Sequence, residues 1–147
     1  MNTQIVKLYS ANSTLILQTK PAIEILYWGE KLQTDFDVNV LSTLKRAVPH
    51  GRLDTDIPLT LSPEHGRGLF SSPGLEGHRN GKDWSPVFHF KSLTEEQNAL
   101  LVVCEDTIAG LQLHIELRLD PQTDVLQLRH SLTNLKPETY QVDRFAV

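Results

Sequence analysis

The chain has 147 residues, 39% of them hydrophobic, and a formal net charge of -4. This size and composition predict one globular domain with a hydrophobic core. The acidic balance and the lack of a lysine- or arginine-rich cluster disfavour a nucleic-acid partner, because contacts to phosphates dominate that affinity. A membrane partner is also disfavoured, because no apolar run approaches the roughly 20 residues that cross a bilayer.

The first part of the chain predicts a meander of three strands. Short runs of extended character are separated by polar turns. Trp28 alternates with Leu26 on the third run, so its side chain is expected in the core. The three strands are expected at residues 5–10, 14–19 and 22–28.

One segment follows a helical period instead. Four apolar residues recur every fourth position around Asp37, a good helix N-cap, and Pro49 ends the run. We therefore expect one short helix over residues 37–47. The four apolar residues are Phe36, Val40, Leu44 and Val48.

The second half of the chain predicts more strands. Apolar residues alternate with polar ones from Leu111 to Leu119, which is the period of a half-buried antiparallel strand. A polar turn leads into a returning run at residues 126–132, so the two form a long hairpin. His130 lies in register with the leucines of this run and is expected to be a satisfied core histidine. Further strands are expected at residues 87–93, 99–105 and 140–147.

Regular strand spacing with polar turns and no internal repeat predicts the fold class. It is mainly β, an antiparallel β-sandwich with one short helix. The last run, residues 140–147, has no closing turn or polar tail after it. We interpret the chain as one domain, residues 1–147, cut from a larger protein.

Cysteine and histidine usage restricts the chemistry. Cys104 is the single cysteine, so no intrachain disulfide and no thiolate metal site is expected. The six histidines fall in none of the spacings common in metal sites. We therefore expect no metal and no cofactor, and a reducing, cytoplasmic location.

Residues 65–88 form a glycine-rich loop that reads H-G-R-G-L-F-S-S-P-G-L-E-G-H-R-N-G-K-D-W-S-P-V-F. Five glycines and two prolines disfavour regular structure, while several apolar residues supply the anchors that disordered linkers lack. An ordered loop of this length usually carries function.

The polar residues of this loop are compatible with chemical and with structural roles. Glu76 and Asp83 are its only acids, and acids on a cation-rich loop more often pair with nearby cations than act in catalysis. The serines of the loop lack a nucleophile elbow. The side chain of Trp84 is either packed in the core or exposed as a surface for the apolar face of a sugar, and the sequence leaves both open.

Three segments carry a family resemblance. They are L-Y-W-G-E-K-L at residues 26–32, D-I-P-L-T-L-S-P-E at residues 56–64 and G-R-G-L-F-S-S-P-G-L-E-G-H-R-N-G-K-D-W-S-P at residues 66–86. In order and spacing the chain resembles the N-terminal β-sandwich domain of bacterial α-galactosidases (melibiases) of glycoside hydrolase family 36. The resemblance covers nearly the whole chain.

The resemblance implies a galactose mutarotase-like supersandwich that precedes a catalytic (β/α)8 barrel. Both catalytic aspartates of a retaining α-galactosidase belong to that barrel, so this chain alone is expected to be inactive. The implied partners are its own barrel, absent from this sequence, an α-galactoside substrate and further copies in a homo-oligomer.

The resemblance also places the glycine-rich loop at the rim of an active site, its own or a neighbour's. Many relatives have an acidic residue where this chain has Leu69, which cannot accept hydrogen bonds from a sugar. The substrate-rim candidates are Arg67, Phe70, His78, Arg79, Asp83 and Trp84.

Three functions remain open from the sequence. The first is a non-catalytic domain that supports the barrel, assembly and the active-site rim of an α-galactosidase. The second is a self-sufficient galactoside-binding module that uses Trp84. The third is a small mutarotase-like enzyme with a histidine and a glutamate as acid and base, for which the chain is short.

Overall fold

The structure is a computed structural model that describes residues 4–43, 60–69 and 71–147. These residues contain nine strands, one short α-helix and one 3-10 helix. The elements in chain order are β1 (Ile5–Tyr9), β2 (Ser13–Gln18), β3 (Glu24–Glu30), α1 (Asn39–Thr43), the 3-10 helix (His65–Arg67), β4 (Leu75–His78), β5 (His89–Glu96), β6 (Ala99–Asp106), β7 (Leu111–Leu119), β8 (Leu126–Asn134) and β9 (Gln141–Phe145).

The strands form three antiparallel sheets. One contains β1, β2 and β3 in that order, and a second contains β5, β6, β7 and β8 in that order. Each connects neighbours in sequence, as short turns require. The third pairs β4 with β9, two strands that lie far apart in sequence. Gly77 is required in this pairing, because a Cβ there would lie 2.4 Å from the carbonyl oxygen of Gln141.

The three-stranded and four-stranded sheets share one hydrophobic core. Its densest part comes from β7, where the alternating apolar residues are buried and the polar residues between them face outward. The register of β7 follows from this alternation, because a shift of one residue would expose every apolar side chain. The main contributors to the shared core are Val6, Leu8, Leu15, Leu17, Leu100, Val102, Leu111, Leu113, Ile115, Leu117 and Leu119.

Hydrogen bonds join the three-stranded sheet to the four-stranded sheet at one end. The amide of Asn12, between β1 and β2, donates to Asp124 Oδ1 at 2.9 Å, and its side chain donates to Asp124 Oδ2 at 2.9 Å. The hydroxyl of Ser10 donates to the same carboxylate. Asp124 lies in the turn between β7 and β8, so the two sheets are tied at their hairpin ends.

Most of the predicted elements are confirmed. The three-stranded meander and the long β7–β8 hairpin are present, and the predicted final strand is present as β9. The helix covers Asn39–Thr43, with the Asn39 amide bonded to Asp37 Oδ1 at 2.9 Å. The rest of the predicted helix, residues 44–47, lies outside the described residues. Within the described ranges, no helix has the length and apolar character to cross a membrane.

Three expectations from the sequence are wrong. Trp28 has 57% of its surface exposed, and among the described strands its own strand, β3, is the last of its sheet. Alternation determines which face of the sheet a side chain takes, but not whether another element covers that face. The glycine-rich loop contains regular structure, namely β4 and the 3-10 helix. His130 is buried as expected, but its two ring nitrogens have no hydrogen-bond partner of good geometry, so it is not satisfied.

Candidate functional site

The glycine-rich loop folds as two arms joined by β4. The first arm is the 3-10 helix, which Gly68 ends with a left-handed φ of 91°. The second arm is a tight turn after β4, in which the amide of Arg79 donates to the Lys82 carbonyl at 2.7 Å. Asn80 and Gly81 take the left-handed conformations that such a turn needs. Both arms are therefore ordered by their own backbone.

A closed ring of hydrogen bonds, here called the base clamp, joins the two ends of the loop. Glu64 Oε2 accepts from Arg67 Nε at 2.6 Å, and Glu64 Oε1 accepts from the Phe88 amide at 3.2 Å. Arg67 Nη2 closes the ring by donating to the Phe88 carbonyl at 2.7 Å. The carboxyl group of Glu64 and the guanidinium of Arg67 thus join the two ends of the loop at its base.

Burial changes the acidity of groups around the base clamp. Burial raises the pKa of Glu64 to about 7, against the opposing charge of Arg67. Burial also raises the pKa of the Cys104 thiol to about 12, with a further contribution from the charge of Glu64. Asp106 on β6 adds a weaker repulsion to Glu64. The thiol is therefore protonated at neutral pH, whereas Glu64 is close to its titration point.

A second cluster, here called the tip clamp, surrounds the guanidinium of Arg79. Arg79 Nη1 donates to Asp83 Oδ2 at 2.5 Å and to the Ala109 carbonyl at 2.8 Å. Arg79 Nη2 donates to Asn134 Oδ1 at 2.7 Å. The planar fork of arginine suits several acceptors at once, which a lysine could not match. The tip clamp thereby ties the loop to the turn between β6 and β7 and to the end of β8.

The tip clamp also fixes an unusual backbone. Asp83 has a φ of 56°, a left-handed conformation that is uncommon outside glycine but tolerated by aspartate. Its carboxylate is held by Arg79, and its carbonyl accepts from the hydroxyl of Tyr140 at 3.2 Å. Two contacts thus hold the residue that immediately precedes Trp84, and its backbone sets the direction of the indole ring.

Trp84 projects from the loop between the two clamps. Its side chain has 63% of its surface exposed. Trp84 also lines a small cavity of about 10 Å³ together with Glu64, His65 and Phe88, and this volume is close to the smallest that holds one water. An exposed aromatic ring on an ordered backbone is a good platform for the apolar face of a sugar ring.

The structure brings some rim candidates together and separates others. Asp83 and Trp84 are adjacent and share the second arm with Arg79. Arg79 itself is 7% exposed, and its described bonds all go to protein groups, so its guanidinium serves the tip clamp. Arg67 lies in the base clamp, at the other end of the loop. Phe70 lies outside the described residues.

His78 and Glu76, the other acid of the loop, have partners of their own. His78 ends β4, and its Nδ1 accepts from the Gly81 amide at 3.3 Å. Glu76 pairs across the sheet with Arg144 of β9 at 3.2 Å, where both side chains are well exposed. Glu76 and Asp83 therefore each have a cation partner, as the structural interpretation of these acids expects, although the partner of Glu76 comes from β9.

Sequence reasoning missed two residues of this site, Glu64 and Tyr140. Glu64 precedes the loop, and its one local signal is the spacing of three residues to Arg67, which suits a salt bridge over one turn. Tyr140 has no local signal, because its contacts to Arg79 and Asp83 span more than fifty residues. Among the residues that the structure describes, no group of three histidine, cysteine, aspartate or glutamate side chains is placed to hold a metal ion.

Comparison with known sequences identifies the family. Residues 21–147 match the glycosyl hydrolase family 36 N-terminal domain. The chain belongs to this family. The family 36 chain is also 48% identical over 141 residues to an α-galactosidase of Escherichia coli, a match that covers 96% of the chain and 20% of that protein. The chain thus spans about a fifth of the length of this curated relative.

Solved structures confirm the antiparallel β fold of the family 36 domain. The galactosidase domain of the α-galactosidase–sucrose kinase AgaSK matches with a TM-score of 0.79 at 18% identity, covering 96% of this chain and 23% of that one. A variant of the α-galactosidase AgaA from Geobacillus stearothermophilus, in complex with 1-deoxygalactonojirimycin, matches with a TM-score of 0.79 at 14% identity, covering 97% of this chain and 24% of that one. At these identities the likeness shows the fold alone.

Proposed function

We propose that this family 36 domain is a non-catalytic part of an α-galactosidase and that its glycine-rich loop forms part of the rim of the galactoside site. The observation that carries the proposal is Trp84, an exposed indole held between two arginine clamps on an ordered loop. The identity of 48% to an α-galactosidase supports the choice of substrate class.

The geometry supports roles for three of the six rim candidates. Trp84 supplies the apolar surface for a sugar ring. Asp83 and Arg79 hold that surface in place, because their charged groups already bond to each other and to protein carbonyls. The catalytic carboxylates belong to a barrel that this domain supports in one multidomain glycosidase. Cytoplasmic location and assembly into a homo-oligomer are part of the same proposal.

A chimera tests the role of Trp84. In it, this chain replaces the matching segment of the Escherichia coli relative. We expect Trp84→Ala in the chimera to raise KM for raffinose by roughly tenfold, which takes the contact of the sugar ring to be as strong as the stacking of a base on an aromatic ring, about 1–3 kcal/mol. Trp28→Ala is the matched control, because Trp28 is equally exposed but lies on β3. Equal kinetics for the Trp84 variant and its parent would rule out the rim role.

The isolated chain tests the non-catalytic role. We expect no hydrolysis of a chromogenic α-galactoside above the rate of buffer, because the two acids of the loop are paired with arginines. Hydrolysis that survives repeated purification and disappears in Asp83→Asn would overturn the proposal and place the chemistry in this domain.

A self-sufficient galactoside-binding module is the second candidate, because exposed Trp84 would serve it equally well. The two candidates differ in what the isolated chain does with free sugar. A module should saturate with galactose or raffinose and show a change in Trp84 fluorescence, whereas a rim domain should bind neither sugar without its barrel. Calorimetric titration of the chain with each sugar decides between them.

A further inference from the structure

We propose that Glu64 is a positioning residue for Trp84 and that gain or loss of one proton on its carboxyl group changes how tightly the glycine-rich loop is held. The sugar contact made by Trp84 rests on the proposed function above. The link between Glu64 and the loop does not, because it is a property of the chain without sugar.

The geometry of the base clamp is the first support. The two oxygens of Glu64 contact opposite ends of the loop, Arg67 at its start and Phe88 at its end. Only 7% of Glu64 is exposed. A change in this one carboxyl group therefore acts on both ends of the loop at once.

The small cavity beside the base clamp is the second support. Glu64 and Trp84 line it from opposite segments, together with His65, Ser85 and Phe88. Glu64 and Trp84 therefore border the same space, so a displacement of the Glu64 carboxyl group changes the surroundings of Trp84 without passing along the whole loop.

The charges around Glu64 determine the direction of the effect. Arg67 and His65 approach from the 3-10 helix, and Cys104 and Asp106 approach from β6. Burial outweighs the attraction of Arg67, so the pKa of Glu64 is raised. The ionised carboxylate is therefore better solvated when the base clamp opens, and loss of the proton loosens the loop.

Fluorescence of Trp84 tests the proposal. The chain contains two tryptophans, so Trp28→Phe leaves Trp84 as the single reporter. We expect its anisotropy to fall, and its quenching by acrylamide to increase, in a one-proton transition centred near pH 7. Adding Glu64→Gln should abolish the transition and leave the signal of the low-pH form at every pH. Adding Glu76→Gln, the same change in an exposed pair of this loop, should leave it intact.

Three outcomes would overturn the proposal. The transition could be absent, could persist with Glu64→Gln, or could run in the opposite direction, which would show that Arg67 holds the ionised form more tightly. A transition that disappears in His65→Gln but not in Glu64→Gln would assign it to the histidine.

A second measurement does not depend on the folding of a variant. In the unmodified chain labelled with carbon-13, one glutamate carboxyl signal should titrate near pH 7, well above an ordinary glutamate. If every glutamate carboxyl signal titrates at its ordinary value, the proposal is wrong even where Trp84 proves to contact sugar. If the transition is found but Trp84→Ala leaves the kinetics of the chimera unchanged, the proposed function fails and the link to Glu64 stands.

Discussion

The guanidinium carbon of Arg79 lies 5.4 Å from the centre of the Tyr140 ring. The same arginine bonds to Asp83, and the hydroxyl of Tyr140 bonds to the carbonyl of Asp83. A neighbouring arginine and a tyrosine from a distant part of the chain therefore fix the left-handed backbone of Asp83. A cation–π contact of this kind adds its own stabilisation to that of the hydrogen bonds when the pair is shielded from water.

Replacement of Arg79 should therefore be costly. We expect Arg79→Ala to lower the free energy of unfolding by about 3 kcal/mol, because it leaves Asp83 and Asn134 without their buried partner. Arg79→Lys should recover part of this loss, since it keeps the charge but loses the planar fork. Urea unfolding followed by circular dichroism measures both. Arg144→Ala, in an exposed pair, is the control and should cost less than about 1 kcal/mol.

The stability of the chain should depend on pH through Glu64. Its pKa is about 7 in the folded chain and 4.5 as an ordinary value, so the folded state binds the proton more tightly. The stabilisation by protonated Glu64 is complete when the pH is below the ordinary pKa of 4.5, and it is lost as the pH rises through the folded-state pKa of about 7. The total loss is on the order of 3 kcal/mol.

Glu64→Gln isolates this contribution, because a glutamine does not titrate in this range. Glutamine resembles the protonated form of Glu64, so urea unfolding across about pH 4 to 8 should give a difference in stability between the chain and the variant that grows as pH rises. A difference that stays constant across this range would mean that Glu64 has an ordinary pKa in the folded chain.

Cys104 should be unreactive in the folded chain. Burial raises the pKa of its thiol to about 12, so both the thiolate form and access to reagent are suppressed. We expect Ellman's reagent to react with the thiol at mildly alkaline pH only after urea unfolds the chain. Full reaction of the native chain within the mixing time would contradict the buried position of this side chain.

The unpaired imidazole of His130 should be a weak point in the core. Burial lowers its pKa, with a small opposing contribution from the backbone of Ala146, and its ring nitrogens form no hydrogen bond of good geometry. We expect His130→Leu to raise the free energy of unfolding by about 1 kcal/mol, because an unsatisfied buried polar group is removed. Thermal unfolding near neutral pH measures the change.

His114 offers a matched control for this substitution. It lies on the neighbouring strand β7, and its Nε2 is 2.9 Å from Gln112 Oε1. His114→Leu should therefore give no such gain. A loss of stability in His130→Leu would show that the buried ring has a partner that stabilises it.

Much of the fold follows from the sequence, because apolar and polar residues alternate along the strands with a period of two. In β7 each apolar residue is buried and each polar residue faces outward, so local sequence determines both the strand and its register. Trp28 shows the limit of this reasoning. It is directly opposite Leu15, which is fully buried, but it lies on the edge strand of its sheet, where alternation no longer implies burial.

The candidate site was only partly predictable for a different reason. The glycine-rich loop is visible in composition, and its acids were expected to pair with cations. The partners of Arg79 could not be identified, because Ala109 and Asn134 lie 30 and 55 residues away in sequence. Glu64 was missed because its carboxyl group becomes unusual only when the fold buries it.

The strand β9 affects how this domain behaves at high concentration. All five of its residues are exposed, Val142 and Phe145 among them, and among the described residues its one strand partner is the short β4. A strand that presents unpaired backbone groups beside apolar side chains is a template for intermolecular pairing. Concentrated samples of the isolated chain should therefore aggregate through β9, and a lysine in place of Val142 should be the most effective single change for keeping the domain in solution.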